Sequence, residues 1–184
     1  MNTLLLGLMS LAAAAVAAPA AWAQDWKVDA GKSQVHFVIK QMNVPSEGGF
    51  KRYAAQAAFD PARPEAGQFR VEVETASIDT GSSDGDEEVK RPAWLDARKY
   101  PKAGFVSKSV RREAAGHYTA LGDLAIKGQS RPLAVPFTLT RQGAGWRAEG
   151  HFPLKRSTYG IGGGDWNDVV ADDVDVRFNL VLLP

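Results

Sequence analysis

The residues whose types could do chemistry are few, and their spacing argues against most of it. The three histidines, His36, His117 and His151, lie far apart, so neither a His-x-x-x-His zinc pair nor a Ser-His couple is spelled out. Strands can still bring distant histidines together, which leaves a zinc site as an open alternative. Asp172 and Asp173 are neighbours, and in a strand they point to opposite faces, a poor arrangement for a general acid and base. The run Asp84, Asp86, Glu87 and Glu88 lacks the ligand spacing of a calcium loop. The glycines between Gly160 and Gly164 do not follow a strand inside a βαβ unit, so they form no dinucleotide site and suit a tight bend instead. Cysteine is absent, which removes thiol catalysis, disulfides and thiolate metal sites together. No catalytic residue, metal or cofactor is assigned, and the chain reads as a binding protein rather than an enzyme.

The elements that must position any binding site are strands. Beyond Asp25 the dominant pattern is alternation: Val35, Phe37 and Ile39 share one face of SQVHFVIK, and His36, Val38 and Lys40 the other. Phe69, Val71 and Val73 alternate in the same way with Arg70, Glu72 and Glu74. AGFVSKSV, HYTALGDLAIK, RPLAVPFTLTR, GWRAEGHFPL, DVDVRFNLVLL and the stretch 50–59 complete eight candidate strands. Turn-forming clusters separate them at 61–67, 80–85, 112–116, 128–130 and 142–145. Two stretches resist: 86–99, with an acidic start, a central Pro92 and a basic end, suits one or two short helical turns, and 155–173 is Gly-rich and irregular. Short strands without interleaved long helices make the class all-β, a sandwich or a barrel.

From Met1 to Gln24 there is no charged side chain. An apolar run from Leu4 to Ala18, then Pro19 and the small residues Ala21 and Ala23, reads as a signal peptide over residues 1–23. The run is short of the ~20 residues that span a bilayer. The expected mature chain, residues 24–184, is one domain, exported and not inserted in the membrane. Its 22 Lys and Arg against 21 Asp and Glu give a net charge of +1, with no basic stripe for nucleic acid.

Several segments, in order, resemble one family. WKVDAGKSQVHFVIK, Gly49 with Phe50, and VETASIDTG are similar to the opening of the YceI-like proteins. Asp86, Lys90, Pro92, Trp94 and Asp96, with Tyr100 and Pro101, resemble that family's helical segment. GDLAIKGQSRPLAVPFTL resembles its hairpin, and LKRSTYGIG followed by Trp166, Asp172, Asp173 and Val174 its C-terminal signature. The chain departs from the pattern at Glu88, where the family often has His, at Leu95 beside Trp94, and at Thr158 with Tyr159 in place of Asp-Phe. The resemblance implies an eight-stranded antiparallel lipocalin-like barrel with one or two short helical segments and an elongated apolar interior. It also implies a periplasmic protein that binds polyisoprenoids or other long-chain amphiphiles, often as a homodimer; a quinone-like lipid is a further candidate ligand.

Such an interior needs inward apolar side chains and a few polar groups for the ligand's head. Val35, Phe37, Ile39, Phe105, Leu124 and Ile126 meet the apolar requirement; periodicity does not distinguish residues that line a tunnel from residues that fill a core. Trp94, Leu95 and Trp166 fall in the irregular segments, where each either plugs a barrel end or touches a ligand. For an anionic head, Lys90 and Arg156 in the family-like segments are the candidates, because charge-assisted bonds to phosphate are strong; solvated surface cations are the alternative. The functional expectation is a periplasmic carrier or sequestering protein for a long isoprenoid or fatty amphiphile. The competing one is a solidly packed barrel acting through its loops as an accessory to a membrane electron-transfer or stress-response system.

Overall fold

The computed structural model describes residues 24–60 and 62–184, and the expected signal peptide lies outside them. Alternation becomes strand almost everywhere: β1 (Gln24–Val28), β2 (Gln34–Gln41), β3 (Val44–Phe50), β4 (Tyr53–Asp60), β5 (Arg63–Glu74), β6 (Ile78–Asp79), β7 (Lys102–Ala114), β8 (His117–Ile126), β9 (Gln129–Gln142), β10 (Gly145–Lys155) and β11 (Val170–Leu183), with one helix, α1 (Ser83–Val89). All pairings are antiparallel and all eleven segments belong to one sheet, closed where β1 meets β11. Three staves are each made of two successive segments. β1 and β2 both pair with β11, β4 and β3 pair with them in turn, and β5 and β6 follow. With β7 to β11 these make the closed eight-strand antiparallel barrel.

Up-and-down order puts the β4–β5 connection and the turns at 115–116 and 143–144 at one end, here the lower. The β2–β3 and β8–β9 turns and the long connections 80–101 and 156–169 lie at the upper end. The lower end is closed by stacked aromatic rings. Trp26 lies on Phe59 at 5.3 Å, Phe59 on Phe69 at 5.7 Å, Phe69 against Phe137 at 5.4 Å and Phe137 on Tyr118 at 5.5 Å. The Trp26 indole N–H is satisfied by donating to the Phe59 carbonyl at 3.1 Å. Phe59 is 0 % exposed and Leu182 1 %.

At the upper end the wall is less regular. The β9–β10 ladder runs from Gln142 with Gly145 to Phe137 with Gly150 and stops. Pro132, Pro136 and Pro153 lie past that point, and a proline has no N–H to donate to a further rung. The segment after β10 straps across: Arg131 donates to the Thr158 carbonyl at 3.2 Å and Lys127 to that of Gly160 at 2.6 Å.

Several boundaries differ from the sequence reading: the strand expected over 50–59 is broken at 51–52 between β3 and β4, and β7 runs to Ala114 into the turn expected over 112–116. The turn expected over 61–67 is strand from Arg63, entered through a register shift between Ala58 and Asp60, with Gly67 so close under Phe59 that a Cβ would meet it at 2.6 Å. The stretch 44–49 is strand despite its two glycines, because Phe37 lies directly over Gly48 and leaves no room for a side chain there. The helix starts at Ser83, ahead of Asp86, since the Ser82 hydroxyl accepts the Gly85 N–H at 3.0 Å and caps it.

Candidate functional site

The inward faces of the staves enclose a cavity of about 640 Å³. β2 contributes Val35, Phe37 and Ile39, β5 contributes Phe69, Val71 and Val73, and β11 contributes Val174, Val176, Phe178 and Leu180. Phe105, Leu124, Ile126 and Phe152 complete much of the wall. The hollow has a residue-level cause. Ala55, Ala57, Ala103, Ala120 and Ala148 all face inward, and in an eight-stranded barrel, which larger side chains would just fill, each leaves space unfilled. Below, the aromatic stack is the floor.

The mouth is at the upper end. Gln41, Ser46 and Glu47 of the β2–β3 hairpin and Thr80, Ser82, Asp84 and Glu88 around α1 form its polar rim, beside Trp94, Leu95, Ile161 and Trp166. The Asp86 carboxylate ties α1 back to the end of β6, accepting the Thr80 N–H at 2.6 Å and its hydroxyl at 2.8 Å. The backbone bond first, and then the hydroxyl, hold that carboxyl below its usual range. Trp94 packs edge-on to Trp166 at 5.4 Å. It seats on Gly162, whose φ of +60° and missing Cβ are both needed, since a Cβ would stand 2.7 Å from the ring.

Nine of the ten sequence candidates line this cavity: Phe37, Ile39, Trp94, Leu95, Phe105, Leu124, Ile126, Arg156 and Trp166. Lys90 is not among the lining residues; it follows α1, and its ammonium pairs with Glu87 at 2.9 Å. Arg156 has a different task from the one its charge suggested. It is 3 % exposed, and its guanidinium donates to the carbonyls of Ala171 at 3.0 Å, Val170 at 2.7 Å, Ile161 at 2.8 Å and Gly162, with longer bonds to Trp166 O and Asn167 Oδ1. Those carbonyls occupy its fork of N–H donors and close the 156–170 connection around it, so neither cation is presented to the lumen as a free phosphate donor.

Sequence reasoning missed the inward alanines and the floor aromatics Trp26 and Phe59. For the alanines the signal was available, since they alternate in phase with the large apolar residues. The strands do bring His36, His117 and His151 to one shallow groove on the outer wall. There His151 Nδ1 lies 3.0 Å from Asp175, but among the described residues no three His, Asp or Glu side chains converge as a metal requires. No histidine is among the cavity-lining residues.

The model of the YceI-like domain matches residues 26–182. The chain belongs to the YceI-like family. Among curated relatives, a UPF0312 protein of Pseudomonas savastanoi pv. phaseolicola is 31% identical over 183 residues, covering 94% of each chain. A UPF0312 protein of Yersinia pestis is 32% identical over 165 residues, covering 84% of this chain and 85% of its own. Among solved structures, Burkholderia cenocepacia BcnA superimposes with a TM-score of 0.81 at 40% identity, over 84% of this chain and 99% of its own. A polyisoprenoid binding domain from Saccharophagus degradans, implicated in plant cell wall breakdown, has a TM-score of 0.68 at 14% identity, over 86% of this chain and 97% of its own, a likeness of fold alone. The YceI-like barrel is thus found both in this family and, at low identity, in a domain that binds polyisoprenoids.

Proposed function

We propose that this YceI-like chain is exported to the periplasm, where it binds rather than transforms, as a carrier or sequestering protein for one long-chain isoprenoid or fatty amphiphile. The observation that carries the proposal is the cavity: about 640 Å³, within the roughly 300 to 1,000 Å³ of small-ligand sites, walled almost wholly by apolar side chains, floored by aromatics and rimmed with polar groups. An apolar chain buried there gains on the order of 25 cal/mol per Å² removed from water, while the rim can keep a polar end wet. A hollow of this size argues against the solidly packed accessory barrel.

The rim also bears on the head. Its charged side chains are Glu47, Asp84 and Glu88, and Arg156 behind them has spent its N–H groups. A neutral end, a hydroxyl or a quinone carbonyl, therefore fits better than a pyrophosphate. Native mass spectrometry of protein purified from its own periplasm is expected to show a co-purifying lipid. Ile39→Asp, which puts a carboxylate into the apolar wall, should remain folded by circular dichroism yet lose uptake of an added polyprenol. Repeated recovery of ligand-free wild-type protein that also ignores polyprenol would overturn the proposal.

A further inference from the structure

Four large apolar side chains stand exposed among the described residues, and the two most exposed are together on one turn: Met42, 74 % exposed, and Val44, 62 %. That turn joins β2 to β3. Its neighbours on either side, Gln41 and Ser46, line the cavity, so Met42 and Val44 sit on the rim of the mouth. The turn is also oddly chosen for folding alone. Met42 and Asn43 both have positive φ, +50° and +63°, a tight hairpin conformation in which Asn and Gly are at ease and Met is not. The tip is held rather than loose: the Met42 N–H donates to the Val169 carbonyl at 2.7 Å, and Lys40 with Pro45 and Gln41 with Val44 continue the ladder to the turn. At the opposite end the turns 115–116 and 143–144 present small side chains, Ala115, Gly116, Gly143 and Ala144, and the one exposed large apolar residue there, Leu183, is less exposed at 40 % and lies on a paired strand.

We infer that the Met42–Val44 tip is a bilayer-contacting rim, which dips into the headgroup boundary of a membrane and brings the cavity mouth against the lipid that a chain must leave. The inference rests on the proposal that a long apolar chain passes through this mouth. A lipid surface is the occupant that the placement favours. The apolar pair is continuous with the entrance of an apolar cavity, and exposed Lys40 beside it offsets part of the charge of Glu47, Asp84 and Glu88 on the rim, which suits a largely zwitterionic surface with few anionic lipids. Two aliphatic side chains give a contact weak enough to be reversible, as a carrier requires.

The test exploits the absence of cysteine. Met42→Cys and, as a control on the lower end, Ala144→Cys each carry a single environment-sensitive fluorophore in the full mature chain. With vesicles of phosphatidylethanolamine and a minority of phosphatidylglycerol, the probe at 42 is expected to shift to the blue while the probe at 144 does not. In sedimentation with the same vesicles, unlabelled Met42→Ser/Val44→Ser should partition roughly tenfold more weakly than wild type, the loss expected for withdrawing two aliphatic groups from lipid. A silent probe at 42, equal shifts at 42 and 144, or unchanged partition of the double variant overturns the inference. So does a blue shift without vesicles that grows with protein concentration, which would assign the tip to a second copy of the chain. Vesicle contact at 42 in a protein that never takes up polyprenol leaves this inference standing and removes the carrier, whereas polyprenol uptake with a silent probe does the reverse.

Discussion

The two ends of the barrel are built from the same eight staves and differ in almost everything else. At the lower end short turns join the strands and Trp26, Phe59, Phe69, Phe137 and Tyr118 stack into a solid floor. At the upper end the connections are long, the ladder between β9 and β10 is incomplete, and the principal buried group is a cation held by carbonyls. Hollowness is therefore not a property of the fold. It arises where inward positions change from aromatic to alanine, and the upper end stays open because its order comes from hydrogen bonds around Arg156 and α1 rather than from filling.

The largest effect expected from this contrast is at the floor. Phe59→Ala removes a fully buried ring from the centre of the stack and should cost about 3 to 5 kcal/mol in urea denaturation, with slow-exchanging amides lost throughout the barrel. A cost below about 1 kcal/mol would mean that the stack can collapse around the gap and that the floor is not what holds the lower end.

Arg156→Met should give a smaller and more local effect. It leaves the carbonyls of Ile161, Gly162, Val170 and Ala171 without their donor. Each buried orphan costs about 1 to 3 kcal/mol, but the connection can open to water, so the net loss is expected near 2 kcal/mol. Hydrogen exchange should accelerate over 156–170 and not over 137–148. Acceleration of both stretches would show that the two ends are one cooperative unit.

Much of the lower end and wall was legible in the sequence, because period-two alternation reports directly which side chains share a face. Val35, Phe37 and Ile39 and then Phe69, Val71 and Val73 were found in this way. What was not legible depends on contacts between distant segments. Gly48 weakens the strand signal of 44–50 for a reason located at Phe37, eleven residues earlier in the chain. Arg156 reads as a ligand for phosphate because charge is visible in sequence, whereas its carbonyl partners at 161–171 belong to loop backbone and have no residue signature. Lys90 was placed at the mouth by its neighbours in sequence, and one helix turn was enough to pair it with Glu87 instead. The hollow itself could be anticipated only by asking where alternation passes through Ala rather than through a large residue.

The smallest expected effect separates the two ends by pH. Asp79, Asp86 and Asp172 all belong to the upper end. The Lys51 ammonium, then the Gly81 N–H, hold the Asp79 carboxyl below its usual range; the Thr80 N–H and hydroxyl do so for Asp86; the Ser157 N–H and hydroxyl do so for Asp172. A carboxyl whose folded pKa is depressed contributes stability above its unfolded value, about 3.9, and loses it as pH falls through the lower folded value. The floor is made of aromatic rings and aliphatic side chains and carries no carboxylate. Between pH 5 and about pH 3, then, the upper end should loosen while the lower end holds. Among the described residues four indoles report on this by position, Trp94 and Trp166 above and Trp26 and Trp146 below. Their ¹H–¹⁵N resonances should split into a pair that moves on acidification and a pair that does not, and Asp86→Asn with Asp172→Asn should reduce the movement of the upper pair. All four indoles moving together in one step would show that acid acts on the whole barrel, and that the weaker upper end is weaker only in its hydrogen-bond pattern, not in its response.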